Sequence, residues 1–312
     1  MSILSHIGNT PLVSLDRIGH GLPVALLGKC EHMNPGGSVK DRIALAIVED
    51  AERRGLLEPG ATLIEATAGN TGVGLALVAA ARGYRLVCVM PEKMSADKRV
   101  SLKAMGAELI ITPNAPPASP DNFQNVAARL ARARGWFLTD QFNNPANPRV
   151  HAETTAAELL AQVDGPIGAF VAGAGTGGTI TGVGRRLKAT WPNVQIVLAD
   201  PIGSGLADWI ETGELGPDGS YEVEGIGSSK PPANLDRDVV DAAERVSDAE
   251  SFAMVARLVR EEGILVGGSA GTNVAAALRV ARRGGLEGPV ITILCDSWDR
   301  YRAKPWMRRL LE

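Results

Sequence analysis

Short apolar runs of strand length alternate along this chain with longer segments in which apolar residues recur at helical spacing. The runs at 24–29, 62–66, 85–90, 108–112, 136–138, 169–172, 194–199, 264–266 and 289–294 are rich in Val, Ile and Leu and predict strands. Helices are predicted from Lys40 to just before Gly55, and over 70–81, 95–105, 121–134, 147–163, 179–190, 249–262 and 270–283. Glycines at 55, 83 and 106 supply stop signals. Residues 202–236 are Gly-rich and weakly periodic, and no element is predicted there. Strands that alternate with helices imply parallel sheets covered by helices. The strands read as continuous apolar runs, which fits burial on both faces. About nine or ten strands exceed one small core. The expectation is therefore α/β, with two lobes, each a mostly parallel sheet flanked by helices, and a cleft between them.

Composition narrows the class. The 312 residues are 45% hydrophobic and 21% charged, which suits a large core and excludes disorder. The net charge is −3 and basic residues come at most in pairs, so no nucleic-acid partner is expected. Cys30, Cys88 and Cys295 lie far apart without a C-x-x-C pair, so neither a metal site nor a disulfide framework is expected. The N-terminus lacks a signal-peptide pattern and no apolar run reaches membrane-spanning length. A cytoplasmic protein without membrane partners is the expectation.

Chemistry is written where strands hand over to helices, since ligands of open α/β sheets bind at the carboxyl ends of strands. In residues 34–42, the turn Asn34-Pro35-Gly36-Gly37 leads through Ser38 to Lys40 at the start of an apolar helix. An amine held where loop meets core is favoured in its neutral form, the form that condenses with carbonyls; the plain alternative is a lysine whose head reaches water. Thr67, Ala68, Gly69, Asn70 and Thr71 put hydroxyls, an amide and exposed N–H groups at a helix start, which suits a carboxylate, against simple capping. Gly173, Gly175, Thr176, Gly177, Gly178 and Thr179 form a phosphate cradle, and the same glycines satisfy G-x-G-x-x-G with Asp200 ending the next strand, so a dinucleotide site competes. Ser269, in Gly267-Gly268-Ser269-Ala270-Gly271, either caps a helix or faces a ligand. In residues 139–147, capping accounts for most polar groups, and Gln141 is left without a structural task. Glu224-Gly225-Ile226-Gly227 is a weaker loop of the same kind.

The motifs at 7–13 (IGNTPLV), 34–42 (NPGGSVKDR), 67–72 (TAGNTG), 175–179 (GTGGT), 224–227 (EGIG) and 267–271 (GGSAG) occur in one order across nearly the whole chain. That order resembles the fold-type II pyridoxal-phosphate enzymes of the cysteine synthase and cystathionine β-synthase family. The resemblance implies a tryptophan synthase β-like fold with pyridoxal 5′-phosphate in the cleft. It implies a larger lobe of residues 1–40 and 146–312 carrying the phosphate loop and a ring-nitrogen serine, and a smaller mobile lobe of residues 41–145 carrying the carboxylate loop. Lys40 then holds the cofactor as a Schiff base and acts as the catalytic base. Asn70 meets the ring oxygen, Gly175, Thr176, Gly177, Gly178 and Thr179 the phosphate, and Ser269 the ring nitrogen. Thr67, Ala68, Asn70, Thr71 and Gln141 surround the substrate carboxylate, with Gly225 near the amino acid.

The implied reaction is β-replacement on L-serine or an O-activated L-serine such as O-acetylserine. It runs through an aminoacrylate, with a thiol or sulfide as acceptor, to give L-cystathionine or L-cysteine. A homodimer is implied by the same analogy. Where many members read Thr-Ser-Gly-Asn this chain has Ala68, so one hydroxyl is missing from the carboxylate loop. The tracts at 91–95, 221–227 and 235–237 look more like cystathionine β-synthase, and those at 140–142 and 144–147 more like cysteine synthase. No haem-binding extension or regulatory module is expected. A dehydratase or diaminopropionate-type synthase would share Lys40 and the phosphate loop; a dinucleotide-binding protein or a non-catalytic scaffold would be a different class.

Overall fold

The structure, a computed structural model, describes residues 2–94, 96–217 and 219–309. Its strands are β1 (Leu12–Ser14), β2 (Leu26–Lys29), β3 (Thr62–Ala66), β4 (Arg85–Pro91), β5 (Glu108–Thr112), β6 (Phe137–Leu138), β7 (Ala169–Ala172), β8 (Gln195–Pro201), β9 (Ala242–Val246) and β10 (Val290–Ile293). The helices are α1 (Lys40–Arg53), α2 (Asn70–Arg82), α3 (Ala96–Ala104), α4 (Phe123–Arg134), α5 (Ala146–Val150), α6 (Ala156–Gln162), α7 (Gly178–Thr190), α8 (Leu206–Thr212), α9 (Asp248–Arg257), α10 (Gly268–Arg283) and α11 (Pro305–Arg309). Ser95, the expected first residue of the third helix, lies outside the described residues. The segment expected as one helix over 147–163 is α5 and α6 joined by a π turn at His151–Thr155, and a second π turn (Leu258–Glu262) follows α9. The strand expected at 264–266 is reduced to one bridge, Val266 to Ser297.

The chain divides into two compact units. One comprises Met1–Ile7 and Asn34–Asn147, the other Gly8–Met33 and Pro148–Glu312. In the first, four parallel strands lie in the order β5-β4-β3-β6. Strand alternation decides which helix each residue meets. Leu63, Cys88 and Met90 face α1 and α2 through Ala44, Val48, Leu75 and Val78. Ile64, Val87 and Val89 face α4 through Val126, Ala127 and Ala131.

In the second unit six strands lie in the order β1-β2-β10-β7-β8-β9. All pairings are parallel except β1 with β2. One face (Val171, Val197, Ala199) packs on α9 and α10, the other (Phe170, Ile196, Leu198) on α6, α7 and α8. Connections leave β7 for β8 on one side and reach β10 on the other, which makes the β7–β10 boundary the switch point of this sheet. No helix among the described residues is long and apolar enough to cross a membrane. Among them no group of three or more His, Cys, Asp or Glu could hold a metal.

Candidate active site

In the first unit, Lys40 opens α1 and is half-buried, as its place between loop and helix suggested. Ser38 accepts a hydrogen bond from its amide at 3.2 Å. The loop before it is closed by Asp41, whose carboxylate accepts from the Gly36 amide; a side chain at Gly36 would strike that carboxylate. Gly37 takes a positive φ of 77°, which its lack of a Cβ permits. The start of α1 lies against α2: a Cβ on Gly74 would come within 3.1 Å of the Lys40 carbonyl oxygen. Lys40 and the 67–71 loop therefore belong to one local assembly.

That loop does not use its polar groups as a cap. The N-cap of α2 is Gly69, with no side-chain cap bond, and the Thr67 hydroxyl accepts from the Gly69 amide at 3.2 Å. The helix thus begins with its positive end unmet by a side chain, the arrangement that favours an anion. Asn70 is the first residue of α2, and Thr71 donates its hydroxyl to Gln141 Oε1 at 2.5 Å. Gln141, which the sequence left without a structural task, is buried beside this loop. It is delivered by a turn at Asp140, a non-glycine residue with φ of 48°. Such backbone is uncommon away from glycine and concentrates at functional sites.

In the second unit the glycine-rich loop of residues 173–179, the expected phosphate loop, follows β7. The N-cap of α7 is Gly177, with φ of 81° and no side-chain cap bond. The glycines are required by close approach. A Cβ on Gly175 would sit 2.2 Å from the Gly225 carbonyl oxygen, and one on Gly177 would strike Leu235. Residues 224–227, the weaker loop of the sequence, thus pack onto the phosphate loop, and the Gly227 amide donates to the Ala174 carbonyl at 2.9 Å. Lys304 pairs with Glu224 at its edge.

Ser269 lies in the first turn of α10, whose N-cap is Gly267 without a side-chain cap bond. It is therefore not a cap. It is 3% exposed, and its hydroxyl has no hydrogen-bond partner among the described residues. A hydroxyl that is not spent on the protein's own groups is open to a ligand atom.

Two residues that the sequence did not single out hold these loops. Asn273, fully buried one turn after Ser269, accepts from the Gly173 amide at 2.7 Å and donates to the Ile293 carbonyl at 2.8 Å. It spans the β7–β10 switch point and ties the phosphate loop to the serine helix. His151, on the π turn, lies between the Thr155 hydroxyl (2.9 Å) and the Thr179 hydroxyl (3.2 Å). An amide mid-helix and a histidine with threonine four residues on were the available signals, and both are common in plain helices.

Asp200 weighs against the dinucleotide alternative. It is fully buried and its carboxylate accepts from the Ala207 amide at 2.8 Å, holding the start of α8. Burial pushes its carboxyl up to about 6. A ribose-binding acid must present a carboxylate to the ligand, and this one is fully buried with one oxygen holding a helix start.

In each unit, helix starts left without a side-chain cap suit the anionic groups of a ligand such as a phosphorylated cofactor. Comparison with known proteins agrees. The family model described as "Pyridoxal-phosphate dependent enzyme" matches residues 3–296. The cystathionine beta-synthase of Oryctolagus cuniculus is 49% identical, over 97% of this chain and 55% of its own length. The chain thus spans about half the length of that relative. The cysteine synthase of Staphylococcus aureus is 43% identical over 97% of this chain and 96% of its own. A crystal structure of O-ureido-L-serine synthase superposes with a TM-score of 0.89 at 40% identity, covering 98% of this chain and 95% of that one.

Proposed function

This chain belongs to the pyridoxal-phosphate dependent enzyme family, and from that premise we propose that it replaces the β-substituent of L-serine or an O-activated L-serine with a sulfur nucleophile. Cystathionine (homocysteine as acceptor) and cysteine (sulfide as acceptor) are the products this reading allows. Relatives named for both activities support it.

The observation that carries the reading is Ser269, a buried residue at an uncapped helix start whose hydroxyl has no partner among the described residues. Bound pyridoxal 5′-phosphate supplies an aldehyde that condenses with amines and a ring that draws electrons from Cα. Ser269 offers the ring nitrogen a hydroxyl, which does not protonate it as a carboxylic acid would. Electron withdrawal is then moderate, which favours loss of the β-substituent over transamination. Residues 175–179, at the uncapped start of α7, bind the phosphate, and Asn70 meets the ring oxygen. Thr67, Ala68, Asn70, Thr71 and Gln141 bind the α-carboxylate, while Gly225 lies near the amino acid. The Lys40 amine anchors the cofactor, takes the Cα proton as general base and returns it after the nucleophile has added at Cβ. A homodimer acting on small molecules in the cytoplasm completes the proposal.

The test is spectroscopic. Protein supplied with cofactor should show a visible absorbance band that borohydride bleaches and that Lys40→Ala lacks. L-serine, O-acetyl-L-serine and O-phospho-L-serine, added singly, should shift the band only for the true donor. Sulfide or homocysteine should then restore it, with ping-pong kinetics. Absence of any band in the supplemented wild-type protein sinks the proposal.

A further inference from the structure

The carboxyl of Glu65 has no place in the roles above, yet it lies at the centre of the first unit's chemistry. It sits on β3, a strand buried along its whole length, opposite Cys88 of β4. Burying a carboxylate there is costly unless hydrogen bonds compensate. Its partners are the Thr139 hydroxyl, the Gln141 amide (3.1 Å) and the Ala66 amide (3.0 Å), and none is a cation. The last belongs to the residue that leads into the 67–71 loop. Gln141 passes the connection on: its side-chain oxygen accepts from Thr71, and its carbonyl accepts from Asn147 Nδ2 at 2.8 Å. One carboxyl therefore joins the ends of β3 and β6 to the start of α2.

We propose that Glu65 is a positioning residue for recognition of the substrate α-carboxylate, acting by fixing Gln141 against the loop of residues 67–71. This rests on the assignment of that loop and Gln141 to the carboxylate. With the amide oxygen held by Thr71, the side-chain nitrogen is the donating end of Gln141, the end a carboxylate requires. The backbone of Gln141 departs from a left-handed Asp140, so its direction depends on whatever anchors its amide. Glu65 is that anchor, through a charge-assisted bond when ionised.

Glu65→Gln tests this. The replacement has one acceptor oxygen where Glu65 uses both, so its NH2 must oppose either the Ala66 amide or the Thr139–Gln141 pair. The holoenzyme variant should keep its full visible band, since Lys40 is intact. The L-serine concentration giving half the spectral change, and the donor KM, should rise roughly tenfold, with kcat and the acceptor KM within about twofold. Ethanolamine, which is serine without its carboxylate, should perturb variant and wild type at equal concentration. A proportional loss for both probes, or no loss for L-serine, overturns the proposal and marks Glu65 as structural only. Should E65Q not fold, Thr139→Val decides. It removes one donor without adding a polar group, and should weaken L-serine about threefold and ethanolamine not at all; equal effects on both overturn the idea. Failure of the wild-type band itself would instead count against the cofactor reaction.

Discussion

Lys29 is the lysine that burial would single out. It is fully buried, its ammonium donating to the Thr10 carbonyl (2.7 Å) and Gln162 (2.8 Å) and pairing with Glu158 at 2.7 Å. A lysine so neutralised is an architectural tie for the N-terminal segment of its unit. Lys40 is half-buried, and its distinction is its place at a loop-to-helix junction. Motif order singles it out, and burial does not. Glu65 is the complementary case. Its carboxyl is raised from 4.5 to about 7, chiefly by desolvation, with Asp140 adding to the rise and the bonds from Thr139, Gln141 and Ala66 opposing it; the Cys88 thiol opposite is itself pushed up to about 12. A raised folded-state value means the folded protein holds this proton more tightly than the unfolded chain. That stabilisation is complete below about pH 4.5 and is lost as pH climbs through about 7. Denaturant titrations of wild type should therefore lose stability between pH 4.5 and 8 relative to E65Q, by roughly 3 kcal/mol at a conversion of about 1.4 kcal/mol per pKa unit. Parallel curves would show that Glu65 does not titrate in this window. Glu65 stands at the head of the stretch that leads into the 67–71 loop, but no role for it was legible, because a glutamate near the end of an apolar strand looks solvent-facing.

At the scale of elements, three helices share one device. α2, α7 and α10 all start at a glycine N-cap with no side-chain cap, directly after the turn that leaves a strand or bridge. The sequence showed the turns and the helix periodicity, and could not say whether threonine and serine were spent on capping. The loop of residues 173–179 is also pinned from outside, by residues 224–227 and by Asn273. Gly175→Ala should consequently abolish cofactor uptake, because the added methyl meets a backbone oxygen that belongs to another loop; equilibrium dialysis with pyridoxal 5′-phosphate measures it, and near wild-type affinity would show the loop can yield. Asn273→Ala should lower stability by about 2–3 kcal/mol and weaken cofactor affinity at least tenfold, read from denaturation and from the same dialysis. Elements missed in the sequence were those with little pattern of their own. β1 has three residues, α8 has seven inside a glycine-rich stretch, and β9 is an edge strand carrying Glu244 and Arg245. β9 exists through its pairing with β8, a partner more than forty residues away.

Across the whole molecule, each unit carries its own sheet and its own share of the candidate site residues: Lys40, residues 67–71 and Gln141 in one, residues 175–179, Gly225 and Ser269 in the other. A cofactor that binds the folded chain and not the unfolded one must stabilise it by mass action. At a hundredfold excess over Kd the gain is about 2.7 kcal/mol, visible as a raised thermal midpoint. Pyridoxal without its phosphate should raise the midpoint far less in wild type, and equal gains would remove the phosphate role from residues 175–179. The sequence by itself determined the alternation of strand and helix, the parallel sheets and the motif order that identifies the family, because these are written in local periodicity and in glycines placed where backbone must turn. Tertiary structure alone decided that Ser269 and Thr67 do not cap their helices, that Asp200 holds the start of α8, and which backbone and side-chain groups Glu65, Asn273 and His151 meet. Those facts depend on which distant backbone group meets a given side chain, and no spacing along a chain records such a meeting.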